Sequence, residues 1–274
     1  QLIEPYLNQL KNYERLNSNR EAAKAYHVVG LLFFHASIFL EAVCFFEEAI
    51  SLYKKESKEE RKKKIALLYN DLGEVYYNES HKLDEAGDDE SKSSISKYCR
   101  KAKRYYQQSI DIREKELGHY HKDTAESINN LGHAFLGLGK MDESERQYVT
   151  AFEIRKKVLP EQHRDLAEGY FNVGVIQTLN HKQSKEKYME GIENIRKAIS
   201  INDHAFSESG DERHDQALNH DMLASRYKSL NDLDKAIDHL EISVILYIRF
   251  YGVYNEKSKK VFGEYENLYL EMKR

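Results

Sequence analysis

Between residues 163 and 172 the chain reads HRDLAEGYFN. The word H-R-D-L-x-x-x-N does chemistry in phosphoryl transfer: its Asp takes the proton of the attacking hydroxyl, and its Asn, five positions on, holds a metal ion. Here the residue five after Asp165 is Tyr170, and Asn172 comes two positions late. The companions of that chemistry are a Gly-rich phosphate loop, a V-A-I-K lysine and a D-F-G, and none of them occurs in the sequence. One tripeptide without its context does not carry a reaction. A nucleophilic mechanism needs an activated Ser or Cys beside a base, yet there is no G-x-S-x-G, and neither Cys44 nor Cys99 stands in a recognisable catalytic word. His119 with His121, and His214 with His220, offer pairs of imidazoles, but spacing suggests no third ligand for a metal. The expectation is therefore no enzyme, with no catalytic residue, no metal and no cofactor.

Composition narrows the field. Of 274 residues 32% are charged and 41% hydrophobic, with 2 Pro and 13 Gly. So few breakers disfavour a β-sandwich or barrel, which needs many turns. The net charge of −4 comes from interspersed charges of both signs, without the basic stripe of a nucleic-acid binder. Two cysteines in so long a chain suit a reducing, cytoplasmic compartment better than a disulfide framework. Cys44, within the apolar run VCFF, is expected in the core. The longest apolar stretch, 30–46, is interrupted by His35, Ser37 and Glu41, so no membrane insertion is expected. The first residue is Gln1 instead of Met, which suggests a fragment of a larger protein.

Self-similarity explains the opening word. Shifting the sequence by 42 places His121 on His163, Asp123 on Asp165, Ala125 on Ala167, Asn130 on Asn172 and Gly132 on Gly174. Taking the last of these as an anchor gives five copies, at Gly30, Gly73, Gly132, Gly174 and Ala224. Seven positions before each anchor stands an alanine: Ala23, Ala66, Ala125, Ala167 and Ala217. Each copy has a second half with a small residue, a large one four later and a small one three after that, as in Ala42, Phe46 and Ala49. Small residues let antiparallel helices approach, while aromatic residues three or four apart fill the groove between them. Asp123 with Glu126, and Asp165 with Glu168, have the spacing of capping boxes with Asp as the N-cap. The polar insertion 78–97, rich in acids and serines, is expected to loop out between the two helices of the second copy.

These columns, L-G-x-x-Y followed by A-x-x-x-F-x-x-A, resemble the tetratricopeptide repeat, and the period of 42 resembles its longer, kinesin-light-chain-like variety. The words ELGHYH at 116–121 and INNLG at 128–132 carry the likeness. It departs at Lys122 and Arg164, where that family usually has Pro, and in the split second repeat. The resemblance implies an all-α fold, a right-handed α-solenoid of about five helix pairs with a C-terminal capping helix. The expected domain is 1–274, with repeats near 19–57, 62–117, 121–159, 163–202 and 213–251 and a partial cap at 255–274.

In such a solenoid the first helix of each pair lines a groove suited to a peptide or a partner helix. The groove positions, three before and one and four after each anchor, are His27, Leu31 and Phe34; Asn70, Glu74 and Tyr77; Asn129, His133 and Leu136; Phe171, Val175 and Thr178; Asp221, Ser225 and Lys228. An Asn amide can bond both N–H and C=O of an extended backbone, and so hold a peptide without reading its sequence. The resemblance assigns cargo-peptide contact to Asn129 and Asn130, with Asn70 and Asn172 as extensions. The expected binding residues are thus Asn70, Tyr77, Asn129, Asn130, His133, Phe171, Asn172, Asp221, Ser225 and Lys228. The expected partner is another protein or peptide, with the chain acting as a non-catalytic scaffold or adaptor. The alternative is a peptide- or ligand-responsive sensor controlling a fused output domain.

Overall fold

The computed structural model describes residues 18–56, 60–86, 89–179, 184–209 and 214–273, which form eleven α-helices and no strand. They are α1 (Asn19–His35), α2 (Phe39–Lys55), α3 (Glu60–Ala86), α4 (Asp89–Leu117), α5 (Lys122–Gly137), α6 (Met141–Val158), α7 (Arg164–Leu179), α8 (Lys185–Ser209), α9 (His214–Ser229), α10 (Leu233–Tyr251) and α11 (Glu256–Met272). Repeat ends expected at 57 and 213, positions 87–88 of the insertion, and Arg274 lie outside the described residues. The chain divides into two compact units, Gln1–Val158 and Leu159–Arg274, where the repeat columns led to one domain over 1–274. The first unit holds the pairs α1–α2, α3–α4 and α5–α6; the second holds α7–α8, α9–α10 and the single helix α11, which packs on α10.

The small residues are where helices touch. All five column alanines are buried. A methyl placed on Gly30 would lie 2.4 Å from the Phe46 ring, one on Gly73 2.4 Å from Tyr106, and one on Gly132 2.7 Å from Tyr148. Each glycine is thus the seat of the ring in its column. In α7–α8 two glycines face each other, and a methyl on Gly174 would meet the Gly191 carbonyl oxygen at 2.6 Å. Serines in the small columns do further work in three pairs: Ser109 Oγ donates to the Ala66 carbonyl at 2.8 Å, Ser144 Oγ to that of Gly132 at 2.9 Å and Ser243 Oγ to that of Ala217 at 2.9 Å.

First helices end at a fixed place, five after the anchor, at His35, Gly137 and Ser229. In these turns the residue two further on is left-handed: Ser37 (φ 59°), Gly139 (φ 69°) and Asn231 (φ 59°). The next N–H then reaches back five residues, Ile38 to Phe33, Lys140 to Phe135 and Asp232 to Tyr227, each at 2.9–3.0 Å. This closes the orphan carbonyls of the last turn.

The second pair departs from this rule, and from expectation. Residues 78–86 and 89–97 are helical rather than looped: α3 runs eight residues past Asn78, and α4 begins ten before Cys99, where its column mates begin. The segment is polar because it is solvated, and its Glu, Lys and Ala residues favour helix once a packed base has nucleated it. Ser80 sits where the left-handed turn would be, with Oγ bonded to the Tyr77 carbonyl at 2.6 Å and Cys99 Sγ donating to it at 3.4 Å. Cys44 is also corrected, because it is exposed. The buried stripe of α2 passes through Ala42, Val43, Phe46, Ala49, Ile50 and Tyr53 and leaves Cys44 off it.

Candidate functional site

The HRD word is a helix start. His163 Nδ1 accepts the Asp165 N–H at 3.1 Å, and His121 Nδ1 accepts that of Asp123 at 3.1 Å. His121 is the N-cap of α5, while Asp123 and Asp165 lie in the first turns. The capping-box expectation is thereby corrected, since an imidazole nitrogen takes the orphan donor and the Asp charge faces the positive helix end. Among the described residues no group of three or more His, Cys, Asp or Glu is placed to hold a metal ion.

In the first unit, five of the expected binding residues converge where α3 meets α5. Asn70 Nδ2 and Asn130 Nδ2 both donate to Glu74 Oε1 at 3.2 Å. Asn130 also reaches Asn70 Oδ1 at 3.3 Å, and Ser127 Oγ donates to the same oxygen at 3.0 Å. The Tyr77 ring lies 5.6 Å from that of His133, whose Nδ1 meets the Tyr148 hydroxyl at 2.8 Å. Asn129 is buried and its Nδ2 is 3.4 Å from His133 Nε2. Of the three asparagines only Asn130 is half-open to solvent, since Asn70 and Asn129 are each 1% exposed. Asn70 is spent on bonds between the helices, and it fixes the site more than it lines it.

Around these residues stands a group that repeat periodicity alone did not single out. Asp71 accepts from His27 Nε2 of α1 at 2.6 Å. Glu126 is paired at 2.9 Å with Arg113 of α4, which also donates to Ser127 Oγ at 2.8 Å and to the Asp123 carbonyl. Burial, helped by Asp71 and then Glu126, pushes the Glu74 carboxyl up to about 7, and the two asparagine amides only partly offset this. Burial also raises Glu126 against the pull of Arg113. The Tyr106 hydroxyl is driven well up by burial and by Glu74, Tyr77, Glu126 and Asp71 around it. The available signal was that Asp71 shares the column of Asn130, two before the anchor.

In the second unit the expected residues do not form one cluster by any described bond. Phe171 packs partly buried against the core, and Asn172 is buried. Asp221 is half-buried, its carboxyl raised by burial and then by Glu264 of α11, with Lys260 opposing; Ser225 and Lys228 are exposed. Between α7 and α9, Arg226 Nε donates to Thr178 Oγ1 at 2.8 Å.

Residues 99–157, the long second helix α4 with α5 and α6, match the family model of the tetratricopeptide repeat. The fold is that of the tetratricopeptide repeat. Among solved structures, BtubC (BKLC) from P. vanneervenii superposes with a TM-score of 0.67 at 19% identity, over 93% of this chain and 92% of that one. A Podosopora anserina structure with nearly identical TPR-like repeats of kinesin-light-chain type gives 0.53 at 17% identity, over 86% and 97%. A Rap protein complexed with competence and sporulation factor gives 0.62 at 16% identity, over 97% and 70%. No curated protein matches the chain in sequence. The helix pairs here recur with the period of 42 counted from Gly132 to Gly174. No described helix is long and apolar enough to cross a membrane.

Proposed function

We propose that the chain is a non-catalytic interaction scaffold that binds a linear peptide segment of another protein on the faces of its first helices. The observation carrying this is the α3–α5 site: Glu74, Tyr77, Asn130 and His133 are half-buried polar and aromatic groups gathered on first helices. Asn130 and Glu74 present amide and carboxylate groups to an extended backbone. The tetratricopeptide match and the Rap structure solved with its factor support the same class of partner.

The test is selection of random peptides displayed against the full chain, followed by counter-screening on Asn130→Ala and on His133→Glu. Expected is loss of binding for most selected peptides with either variant at unchanged helicity by circular dichroism. Peptides that bind both variants as well as the parent chain would place recognition on another face and sink the proposal.

A further inference from the structure

Residues 97–104 of α4, KYCRKAKR, hold five cations and no acid, a local charge that the balance of the whole chain hides. Three of these cations rest on rings instead of carboxylates. Arg104 lies over the Tyr105 ring at 4.8 Å, Lys101 over Tyr76 at 4.4 Å and Lys103 over Phe135 at 5.1 Å. The support is itself ordered, because Tyr69, Tyr105, Tyr76 and Tyr98 stack in turn with centroids 5.6–6.0 Å apart. Among the described residues, no carboxylate lies within ion-pair distance of Lys54, Arg100, Lys101, Lys103 or Arg104. A ring quadrupole holds a cation without cancelling its charge. The charge is left for an outside anion.

Two cavities open against the same helix. One, of about 420 Å³, lies between α2, α3 and α4. It is lined by the buried Ile50 and Leu72, the half-buried Tyr69, and the exposed Lys54, Glu47 and Arg104. Helical spacing puts Tyr69 and Leu72 on a different face of α3 from Asn70, Glu74 and Tyr77. The second cavity, of about 370 Å³, continues along α4 past Arg100, Lys103 and Gln107. Arg104 and Gln108 line both, which joins them into one groove.

A further observation is independent of the charge. Gln108 Oε1 is buried and, among the described residues, has no hydrogen-bond partner. A buried acceptor costs free energy until a donor reaches it, and the terminal torsion of a glutamine is soft enough to turn the amide toward the groove. The groove therefore asks for anionic groups, an apolar side chain and an N–H.

We propose that this groove is a second docking site, which takes an acidic segment of a partner protein. Carboxylates of the segment pair with Lys54, Arg104 and Arg100. An apolar side chain enters the larger cavity over Ile50 and Leu72, and a backbone N–H of the segment supplies Gln108 Oε1. A nucleic-acid backbone fits less well. Its phosphodiesters have no donor for Gln108, and Glu47 at the rim, which accepts from the Tyr105 hydroxyl at 3.4 Å, repels them.

The probe is a fluorescein-labelled peptide, Glu-Glu-Leu-Glu-Glu, titrated with the full chain at low salt and followed by anisotropy. Gln-Gln-Leu-Gln-Gln, Glu-Glu-Gly-Glu-Glu and an oligothymidylate are the comparisons. Expected are saturable binding of the acidic leucine peptide, weaker binding of its glycine version and none of the neutral one. Lys54→Gln combined with Arg104→Gln, both at exposed positions, should weaken binding roughly ten-fold. Gln108→Leu, which removes the acceptor, should weaken it roughly five-fold. Helicity by circular dichroism should be unchanged in both. Asn130→Ala and His133→Glu should leave this binding as it is, which separates the groove from the α3–α5 site. No binding, equal binding of the neutral peptide, indifference to either set of groove substitutions, or loss on Asn130→Ala would each overturn the proposal. Tighter binding of oligothymidylate, lost with the same double substitution, would assign the groove to nucleic acid and overturn it too.

Discussion

Glu74 shows how a single residue can be read from sequence by position and misjudged by role. Its column placed it on a first-helix face, but nothing in the periodicity showed two more carboxylates beside it, because Asp71 and Glu126 reach it from different turns and different helices. The folded protein holds its carboxyl up to about 7, above its ordinary 4.5. The folded state then binds more protons than the unfolded one between those values, so stability falls as pH rises through that window. Expected for Glu74→Gln, which has no charge to bury, is greater stability than the parent at pH 8, by at most roughly 3 kcal/mol, and near equality at pH 5, read from urea unfolding at both pH values. The glycines make a second prediction at this scale. Gly73→Ala forces a methyl into the Tyr106 ring and should cost about 1–3 kcal/mol. Gly263→Ala in α11 meets nothing within 4 Å and should gain about 0.5–1 kcal/mol from helix propensity. Asn70 and Asn129 mark the limit of column reasoning: it found that they share a position and could not show that packing had already buried them.

The helix pair is the element that the sequence announced most clearly, because small residues and rings must recur wherever two helices touch. The insertion in the second pair was misread for the same reason in reverse. Without apolar periodicity, 78–97 carries no packing signal, and a solvated helix extension looks like a loop when only burial patterns are read. The left-handed turn residues were equally hidden, since Ser37, Gly139 and Asn231 have little in common beyond their place seven after an anchor. Only glycine adopts that conformation without steric cost. Ser37→Gly should therefore stabilise the α1–α2 turn by about 1 kcal/mol, while Gly139→Ser destabilises α5–α6 by a similar amount, both checked by the urea midpoint at unchanged slope.

Across the whole molecule, the two units keep separate cores and respond to acid through different groups. The core of the second unit holds His220, whose Nδ1 lies 2.9 Å from His239 Nδ1. Burial, then the neighbouring imidazole, lowers His220 to about 4. A base whose folded value lies below its ordinary 6.5 contributes stability above that pH and loses it as pH falls toward 4. His220→Gln should therefore flatten the acid loss of stability between pH 6.5 and 4.5, with little change at pH 8, in unfolding followed through tyrosines of the second unit. The first unit moves the opposite way over part of that range, because Glu74 gains its proton there. The long α3–α4 pair adds one more property. Helix rise carries α3 about 12 Å beyond where its neighbours stop. Extra length was added at the C-terminal end of α3 and the N-terminal end of α4 without disturbing the seats of the rings beneath it. A dye fixed at the exposed Lys82 or Lys92 would ride on that lever arm, reporting tilts of the second repeat as large displacements while leaving the α3–α5 site untouched.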